Sequence, residues 1–330
     1  MKPAPPSFTL RQLSYLVAAA DAGTITGAAE LVHVSPSAMS GAITELERAL
    51  GSRLCVRRKA QGVTLTSAGV RAVADARKLL RSADELDVAL RAGDRRLAGP
   101  LAIGCFPTIA PTVLPALLTG FVSAHPGLDL ETVEATQDQL VALLDTGRLD
   151  LAFAYDAYLP GRCPRERVFE LRPHVLLPAD HRLADAPHVD LEEVVEEDFI
   201  MLNAPPSTEH ALSLFAERGL TPRIRHRTGN PDVVRTLVGQ GLGYGILLQT
   251  QPDYSGLSDF PTVRKALTGT STMTVVMLWS ADLGLTSRAQ AAREYVRSVP
   301  WPGIRATADD GSPRRNPTDF PASGQAGQVT

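Results

Sequence analysis

The sequence predicts a small helical domain at the N-terminus, a long helix, and then a larger α/β domain of two lobes. Between Leu10 and Leu50 the hydrophobic residues follow a helical period, and a long apolar stripe comes next. From Gly99 onward, apolar strands alternate with helices. A chain of 330 residues also exceeds the usual size of one compact domain, so two or three units are expected.

The net charge of −3 is unevenly distributed along the chain. The residues before Gly99 include 14 Lys and Arg against 9 Asp and Glu, whereas the remainder has 19 against 27. Between Arg48 and Ala74 there are basic residues and no acidic ones. A basic small domain joined to an acidic larger one predicts that a polyanion contacts only the first.

The third predicted helix, which follows breaks at Gly23 and around 33–35, has two chemically different faces. Its apolar residues recur at spacings of four, three and four, which predicts a buried face. That face consists of Met39, Ile43, Leu46 and Leu50. The opposite face carries Ser37, Ser40, Gly41, Thr44 and Arg48. Short and hydroxylated side chains let a helix approach the major groove of DNA closely, where hydroxyls bind phosphates and base edges.

Residues before and after this helix also indicate DNA contact. Ser35 is predicted as its N-cap and Pro36 as its first residue, so free N–H groups and the positive end of the helix dipole are placed to receive a phosphate. A hairpin candidate with Gln61-Gly62 follows. The basic residues expected to contact phosphates in this region are Arg53, Arg57, Arg58 and Lys59.

Residues 1–65 are therefore predicted to form an all-α winged helix-turn-helix domain that binds double-stranded DNA. The alternative for each separate feature is a surface role, because Ser and Thr on a helix are usually solvated and Arg-Arg-Lys in a loop is usually exposed. Their joint occurrence favours the DNA-binding interpretation.

An apolar stripe predicts a long linker helix over residues 66–92. Thr66 and Ser67 are its N-cap candidates. The stripe alternates spacings of four and three and consists of Ala72, Ala76, Leu79, Ala83, Leu86 and Leu90. This spacing is typical of a coiled-coil seam, so a homodimer through the linker helix is expected. The alternative is an ordinary amphipathic helix packed on its own domain.

After the linker helix, the alternation of strands and helices predicts two α/β lobes with a largely parallel sheet. Lobe 1 is assigned to residues 93–172 and 271–300, because the apolar run 273–279 looks like a return into the first unit. Lobe 2 is assigned to residues 173–270. Two lobes joined by crossing strands leave a cleft between them, as in periplasmic-binding-protein-like folds. Residues 301–330 have prolines and glycines without periodicity and are expected to be a disordered tail.

The N-terminal motifs resemble those of a known family. The stretch from Phe8-Thr9-Leu10-Arg11-Gln12-Leu13 to Leu65-Thr66-Ser67-Ala68-Gly69, with Ala28-Ala29-Glu30-Leu31 inside it, is similar to the N-terminal domain of LysR-type transcriptional regulators. The resemblance implies a winged helix-turn-helix, a dimerising linker helix, a two-lobed effector domain and a homotetramer. Two positions depart from the family pattern: Pro36-Ser37 stands where many members have Gln-Pro, and Cys55 stands where phenylalanine is usual.

The resemblance also implies that a small-molecule effector binds between the lobes, against loops that precede helices. The residues expected there are Phe106, Pro107, Thr108, Thr136, Gln137, Asn203, Ser207, Thr208 and Asn230. Hydroxyls, amides and helix N-termini hold carboxylates or phosphates, although the same residues also cap helices. These loops contain no Lys or Arg, so a neutral or monoanionic, partly apolar metabolite is expected unless Arg225 or Arg227 reaches in.

Several other function classes lack support in the sequence. Three widely spaced cysteines without a CxxC pair predict reduced thiols in a cytoplasmic protein, and Cys105 is interpreted as a packed thiol. The histidines show no metal-binding spacing, and no nucleotide-binding or nucleophile motif occurs. No metal, cofactor or enzymatic activity is therefore expected. Prolines interrupt the uncharged stretch 97–128, which argues against a membrane span.

Three alternatives to an effector-responsive DNA-binding regulator are an enzyme on the two-lobed fold, a two-lobed small-molecule-binding protein, and an architectural DNA-binding protein without effector. The N-terminal DNA-binding unit and the lack of a recognisable secretion signal count against a transport-type binding protein. The architectural alternative is distinguished by whether any small molecule changes the DNA footprint. RNA polymerase is a further candidate partner.

Overall fold

The computed structural model describes residues 6–58, 62–91, 97–248 and 261–301. Within these residues the chain forms a helical N-terminal domain with a two-stranded hairpin, one long helix and two α/β lobes. This arrangement confirms the predicted fold class. Apart from Trp301, the predicted disordered tail lies outside the described residues.

The N-terminal domain packs three helices and a hairpin around one small core. Its elements are α1 (Leu10–Ala22), α2 (Ile25–Leu31), α3 (Pro36–Leu50), β1 (Cys55–Arg58) and β2 (Gly62–Leu65). Thr9 caps α1 by accepting a hydrogen bond from the Gln12 N–H at 3.2 Å, and Gly23 ends the helix in the left-handed conformation that glycine tolerates. Leu16 and Ile43 are fully buried where the helices meet.

The hairpin leads directly into the long helix α4 (Ser67–Arg91). Its two strands pair antiparallel, with Arg58 opposite Gly62. Thr66 is the N-cap of α4, because its Oγ1 atom accepts a hydrogen bond from the Gly69 N–H at 3.0 Å. The predicted linker helix and its first candidate cap are therefore confirmed.

Two α/β lobes follow, and the chain passes between them twice. In chain order their elements are β3 (Ala98–Cys105), α5 (Ala110–Ala116) with a π-helical continuation (Leu117–Val122), β4 (Gly127–Glu134), α6 (Gln137–Asp145), β5 (Leu151–Tyr155), β6 (Arg165–Leu171), β7 (His174–Pro178), β8 (His188–Val189), α7 (Leu191–Val194), β9 (Asp198–Leu202), α8 (Ser207–Ala216), β10 (Arg223–Thr228), α9 (Pro231–Gly239), β11 (Gly245–Leu247), β12 (Thr262–Leu267), β13 (Met273–Leu278) and α10 (Ser287–Ser298).

Lobe 1 is built on a five-stranded sheet in the order β4-β3-β5-β13-β6. β3 pairs in parallel with β4 and β5, whereas β13 pairs antiparallel with β5 and β6. Ile103, Phe153 and Val276 from three of these strands are fully buried in one core. Trp301 is part of the same core, because its ring stacks on that of Phe169 with 5.4 Å between centroids.

Lobe 2 combines a four-stranded sheet in the order β11-β7-β12-β8 with the parallel pair β9 and β10. The two faces of β7 contribute to different cores. Val175 and Leu177 pack into the larger one, whereas Leu176 packs with Val234 and Val238 of α9. Alternate side chains of a strand point to opposite faces, so His174 lies on the same face as Leu176, beneath α9.

The expectation of a largely parallel sheet is wrong. In the four-stranded sheet of lobe 2, β7 pairs antiparallel with both β11 and β12, and only β8 and β12 run parallel. In lobe 1, β13 arrives from lobe 2 through residues 268–272 and therefore enters the sheet in the direction opposite to β5. Because strands cross between the lobes, both sheets contain parallel and antiparallel pairs.

Candidate DNA-recognition surface and ligand cleft

Helix α3 has one buried and one exposed face. Ser35 begins it as predicted, since its Oγ atom accepts a hydrogen bond from the Ala38 N–H at 3.1 Å, and Pro36 is the first helical residue. The buried residues are Met39, Ile43 and Leu46. Leu50, which the hydrophobic spacing also placed on the buried face, is 39% exposed. It is the last residue of the helix.

The face of α3 opposite the core has small side chains and is open. Ser40 is half-buried, and the exposed members of the predicted set are Ser35, Pro36, Ser37, Gly41, Thr44 and Arg48. A Cβ atom added to Gly41 meets no atom of the described residues within 4 Å. Glycine inside a helix costs about 1 kcal/mol relative to alanine. The packing of the domain therefore gives no reason for glycine here, whereas close approach of an outside surface does.

The wing is held in a fixed position relative to α3. Glu47 Oε1 accepts hydrogen bonds from the Leu54 N–H at 2.7 Å and the Cys55 N–H at 3.0 Å, at the point where β1 begins. Arg53 is exposed beside this junction, and Arg58 ends β1. Helix α3 and the β1-β2 hairpin, which is the wing, are therefore joined at this point. Phosphate contacts by Arg53, Arg57 and Arg58 stay a prediction, and Lys59 lies outside the described residues.

The apolar stripe of the linker helix divides into two parts. Ala76 is 1% exposed and packs with Ala72 into the core of the N-terminal domain, so these two residues are not available for a coiled-coil seam. The prediction is wrong for them because the first turns of α4 lie against α1. Leu79, Leu86 and Leu90 are 47, 61 and 78% exposed and form the part of the stripe that faces away from the domain.

Ion pairs attach α4 to lobe 1. Arg81 Nη1 lies 3.2 Å from Asp150 Oδ1, and Asp150 Oδ2 accepts a hydrogen bond from the Ala102 N–H in β3 at 2.8 Å. Further along α4, Asp84 pairs with Arg288 at the start of α10. The linker helix thus has charged contacts with a strand and a helix of lobe 1.

A narrow cavity of only about 10 Å³ lies in the cleft between the lobes. Lobe 1 contributes Thr108 and Tyr155, whose hydroxyl oxygens are 2.8 Å apart and share a hydrogen bond. The remaining lining residues are Leu202, Ser207, Pro231, Arg235, Leu247 and Leu248. The structure therefore brings two of the predicted effector residues, Thr108 and Ser207, to one cavity, and both are buried.

The predicted lobe 1 residues other than Thr108 lie outside this cavity. Phe106 is 3% exposed and packs edge-on against Tyr155 within the core, and Pro107 is exposed. Gln137 is used internally, because its Nε2 donates to the Ala157 carbonyl at 2.8 Å and its Oε1 accepts from the Tyr155 N–H at 2.9 Å. Thr136 is exposed. Phe106 and Gln137 thus make structural contacts within lobe 1.

Three predicted residues of lobe 2 also lie outside the cavity. Asn230 caps α9 by accepting from the Asp232 N–H at 2.8 Å, and Asn203 is exposed. Thr208 is buried, and its Oγ1 donates to the Leu202 carbonyl at 3.1 Å.

Arg235 is the one charged residue among the described residues that line the cavity, and it was not predicted from the sequence. The two arginines named as possible counter-ions, Arg225 and Arg227, are instead exposed on β10. Arg235 is in the second turn of α9 rather than in a loop, so a search of the loops alone could not find it. Tyr155 was also not predicted, because it lies at the end of strand β5 rather than in a loop.

All three cysteines are buried, and none of them forms a disulfide bond among the described residues. Burial, with a smaller effect of Glu134, raises the pKa of the Cys105 thiol far above its usual value, and burial also raises that of Cys163. Thiols of this kind are poor nucleophiles, which agrees with the interpretation of Cys105 as a packed thiol.

Among the described residues, no group of three or more His, Cys, Asp or Glu side chains is arranged to hold a metal ion. No helix in those parts has the length and apolarity needed to span a bilayer.

A winged helix-turn-helix that is joined through a long helix to a two-lobed domain with a ligand cleft defines a class of effector-responsive DNA-binding regulators. Comparison with known proteins gives the family. Residues 10–70 match the family model described as bacterial regulatory helix-turn-helix protein, lysR family, and residues 94–301 match the LysR substrate binding domain. The chain therefore belongs to the LysR family of transcriptional regulators, as the motifs indicated.

Curated relatives and solved structures agree with this assignment. The chain is 32% identical to the transcriptional regulator CfxR of Cupriavidus necator, over 73% of this chain and 76% of the relative. It is 30% identical to a hydrogen peroxide-inducible genes activator of Dickeya chrysanthemi, over 72% and 78%. Among structures, HinK of Pseudomonas aeruginosa shares 34% identity over 88% of this chain and 98% of that chain, with a TM-score of 0.58. A full-length OxyR variant of the same organism shares 25% identity over 88% and 98%, with a TM-score of 0.72.

Proposed function

We propose that this regulator recognises its operator with the exposed face of α3 and the wing. The residues that contact double-stranded DNA in this proposal are Ser35, Pro36, Ser37, Ser40, Gly41, Thr44, Arg48, Arg53, Arg57 and Arg58. The observation that carries it is Gly41, which has open space around it on a helix face of small side chains. Base readout rests on Ser37, Ser40 and Thr44, and the arginines bind phosphates without sequence preference.

A small molecule in the cleft between Thr108 and Ser207 regulates this binding. At about 10 Å³ the cavity has room for about one water molecule, far below the ~300–1,000 Å³ typical of ligand sites, so an effector binds here only when the two lobes move apart. Binding and conformational response account for the function, and no catalytic step is part of it. Among the other residues expected near the effector, Gln137, Thr208 and Asn230 position the cleft loops through the hydrogen bonds described above.

The proposed assembly is a homodimer through Leu79, Leu86 and Leu90 of α4, and two dimers form a homotetramer on DNA. Three exposed leucines along one helix face are typical of a surface covered by a partner helix. Because its partner is chromosomal DNA, the protein acts in the cytoplasm, where RNA polymerase is a candidate further partner.

Footprinting tests this function. Genomic footprinting locates the operators, and metabolites related to the neighbouring genes are then added to the purified protein and operator DNA. We expect a metabolite to change the footprint of the wild type, and Thr108→Ala with Ser207→Ala to weaken that response. Ser123→Ala, which removes an exposed hydroxyl of lobe 1, serves as the control. Sequence-independent binding, or an equal response in the cleft variant, contradicts the proposal.

A further inference from the structure

The C-terminal end of α1 contacts lobe 1 of the same chain. Asp21 Oδ1 accepts a hydrogen bond from Arg77 Nη2 of α4 at 2.5 Å and lies 3.4 Å from Arg148 Nε of lobe 1. Arg77 also reaches lobe 1, because its Nη1 donates to the Thr146 carbonyl at 3.3 Å. One carboxylate of the N-terminal domain therefore joins the linker helix to the turn between α6 and β5.

That turn, residues 146–150, fits closely against the linker helix. Gly147 has a φ of +69°, and a Cβ atom there would lie 3.1 Å from Leu283 Cδ1 and 3.5 Å from Arg77 Cβ. The Gly147 carbonyl accepts a hydrogen bond from Arg81 Nη2 at 3.4 Å. Arg77 and Arg81 are one helical turn apart on α4. The turn of lobe 1 therefore makes polar contacts with two successive turns of the linker helix.

Two residues after Asp21, the same end of α1 supports the wing. The Gly23 carbonyl accepts a hydrogen bond from the Val63 N–H of β2 at 2.7 Å. A Cβ atom at Gly62 would lie 2.3 Å from that carbonyl oxygen, so the wing approaches α1 this closely only because residue 62 is glycine. A displacement of Asp21 relative to the domain would therefore also displace the backbone on which the wing rests.

Helix α6 connects this contact to the ligand cleft. Gln137, in its first turn, bonds to the backbone of Tyr155 and Ala157, and Tyr155 lines the cavity. The helix ends at Asp145, directly before the turn that contacts α4 and Asp21. Its nine residues span about 14 Å at 1.5 Å per residue. One short helix therefore has the cavity wall at one end and the contact with the N-terminal domain at the other.

We propose that Asp21 is a positioning residue for DNA binding: its contact with Arg148 ties the wing to lobe 1, and α6 couples that contact to the cleft. The Arg148 side chain is 46% exposed, and ion pairs of this kind are weak enough to break and form again without opening a hydrophobic core. A wing that is held in place before binding loses less conformational freedom on DNA. This inference rests on the proposed function, in which the wing binds DNA.

Hydrogen exchange tests whether lobe 1 controls the wing. The whole chain with Arg148→Met is compared with the wild type by mass spectrometry, without DNA or effector, in peptides that cover residues 15–23 and 62–66. Loss of the ion pair is expected to make exchange there about two- to fivefold faster. Arg162→Met is the matched control, because Arg162 is a 74% exposed arginine of lobe 1 that pairs with Asp145 at 2.9 Å instead of with Asp21. It is expected to leave exchange in both peptides unchanged.

Operator binding tests the consequence for DNA. Removal of a negative charge ordinarily strengthens binding to a polyanion, so Asp21→Asn would bind DNA more tightly if Asp21 had no positioning role. The proposal predicts the opposite. In mobility-shift assays at fixed salt, with an operator duplex located by footprinting, Asp21→Asn and Arg148→Met should each weaken binding about three- to tenfold, because two subunits contact one operator in the proposed dimer. The double variant should bind no more weakly than Asp21→Asn, since both changes break the same contact.

Three results would overturn the inference: wild-type exchange in the wing of Arg148→Met, operator binding by Asp21→Asn at least as tight as that of the wild type, or losses that add in the double variant. The exchange measurement uses no DNA, so it decides the matter even where no operator is found. The proposed function is judged separately, by whether the wild type binds DNA with sequence preference and its footprint responds to a metabolite. Failure of the contact is thus distinguishable from failure of the function.

Discussion

Arg288 of lobe 1 and Asp84 of the linker helix form an ion pair in which the arginine side chain is 4% exposed. The same guanidinium donates from Nη1 to the Ala98 carbonyl, at the start of β3, at 3.3 Å. Glu85 lies 3.8 Å from it. A buried cation of lobe 1 therefore depends on carboxylates of the helix that connects to the DNA-binding domain.

Removal of Asp84 is expected to destabilise lobe 1. A buried charge left without its partner costs about 3–5 kcal/mol, and we expect roughly 2–3 kcal/mol for Asp84→Ala because Asp84 is 42% exposed and Glu85 remains nearby. Urea unfolding followed by tryptophan fluorescence measures this, since Trp279 and Trp301 are both in lobe 1. Arg288→Met added to Asp84→Ala should recover part of the loss. A control, Asp75→Ala, removes an exposed ion pair with Lys78 and should cost less than about 0.5 kcal/mol.

Stability is expected to fall as the pH drops below about 6.5. Burial lowers the pKa of His174 to about 3 from the ordinary 6.5, so the unfolded chain binds a proton that the folded protein does not. The stability is complete above pH 6.5 and is lost progressively from there down to about pH 3. At pH 5 the loss is about 2 kcal/mol for this one residue.

His174→Asn tests that dependence. Urea unfolding followed by circular dichroism between pH 7 and pH 5 should show a shallower loss of stability in the variant, by about one proton. His188→Asn is the control, because His188 is exposed in the folded protein as in the unfolded chain. An unchanged slope in His174→Asn would show that other groups account for the acid sensitivity.

Gly41→Leu is expected to change stability and DNA binding in opposite directions. Leucine is a better helix former than glycine and would meet no described atom of the chain within 4 Å at its Cβ, so stability should rise by about 0.5–1 kcal/mol. The larger side chain should block approach to the groove and weaken operator binding at least about tenfold in a mobility-shift assay at fixed salt. Gly161→Leu, another glycine with open space, is the control. Equal operator affinity in Gly41→Leu would remove α3 from the interface.

Leu86→Glu is expected to dissociate the proposed dimer. Leu86 is 61% exposed on the outward part of the linker stripe, and a carboxylate there would be buried without a partner in a helix pair. Sedimentation should show a shift toward monomer. Leu118→Glu, at a 46% exposed leucine of lobe 1, should leave the oligomeric state unchanged. A dimer that survives Leu86→Glu places the interface elsewhere.

The N-terminal domain could be predicted from sequence because its signals are local. Ser35, Pro36 and Thr66 each act within one helical turn, so a cap or a first helical residue can be recognised from its neighbours alone. The linker stripe shows the limit of this approach. Spacing places Ala76 and Leu86 on one face, but only tertiary packing decides that α1 covers the former and not the latter.

The cleft could be predicted only in part. Thr108, Thr136 and Asn230 have similar local patterns before helices, yet only the first lines the cavity. Arg235 and Tyr155 reach it from a helix and a strand far apart in the sequence, and no short-range pattern connects them. Strand β10 has no hydrophobic run, because every second residue along it is an exposed arginine.

Strand β3 connects the contact with the linker helix to the wall of the cavity. Its first residue, Ala98, bonds to Arg288 beside the linker helix, and its last, Cys105, is three residues before Thr108 in the cavity wall. Eight extended residues span roughly 25 Å. Since β3 is paired on both sides, it resists stretching and bending. A ligand that shifts the cavity wall would therefore also displace the other end of β3. The adjacent end of α4, the helix that connects to the DNA-binding domain, would move with it.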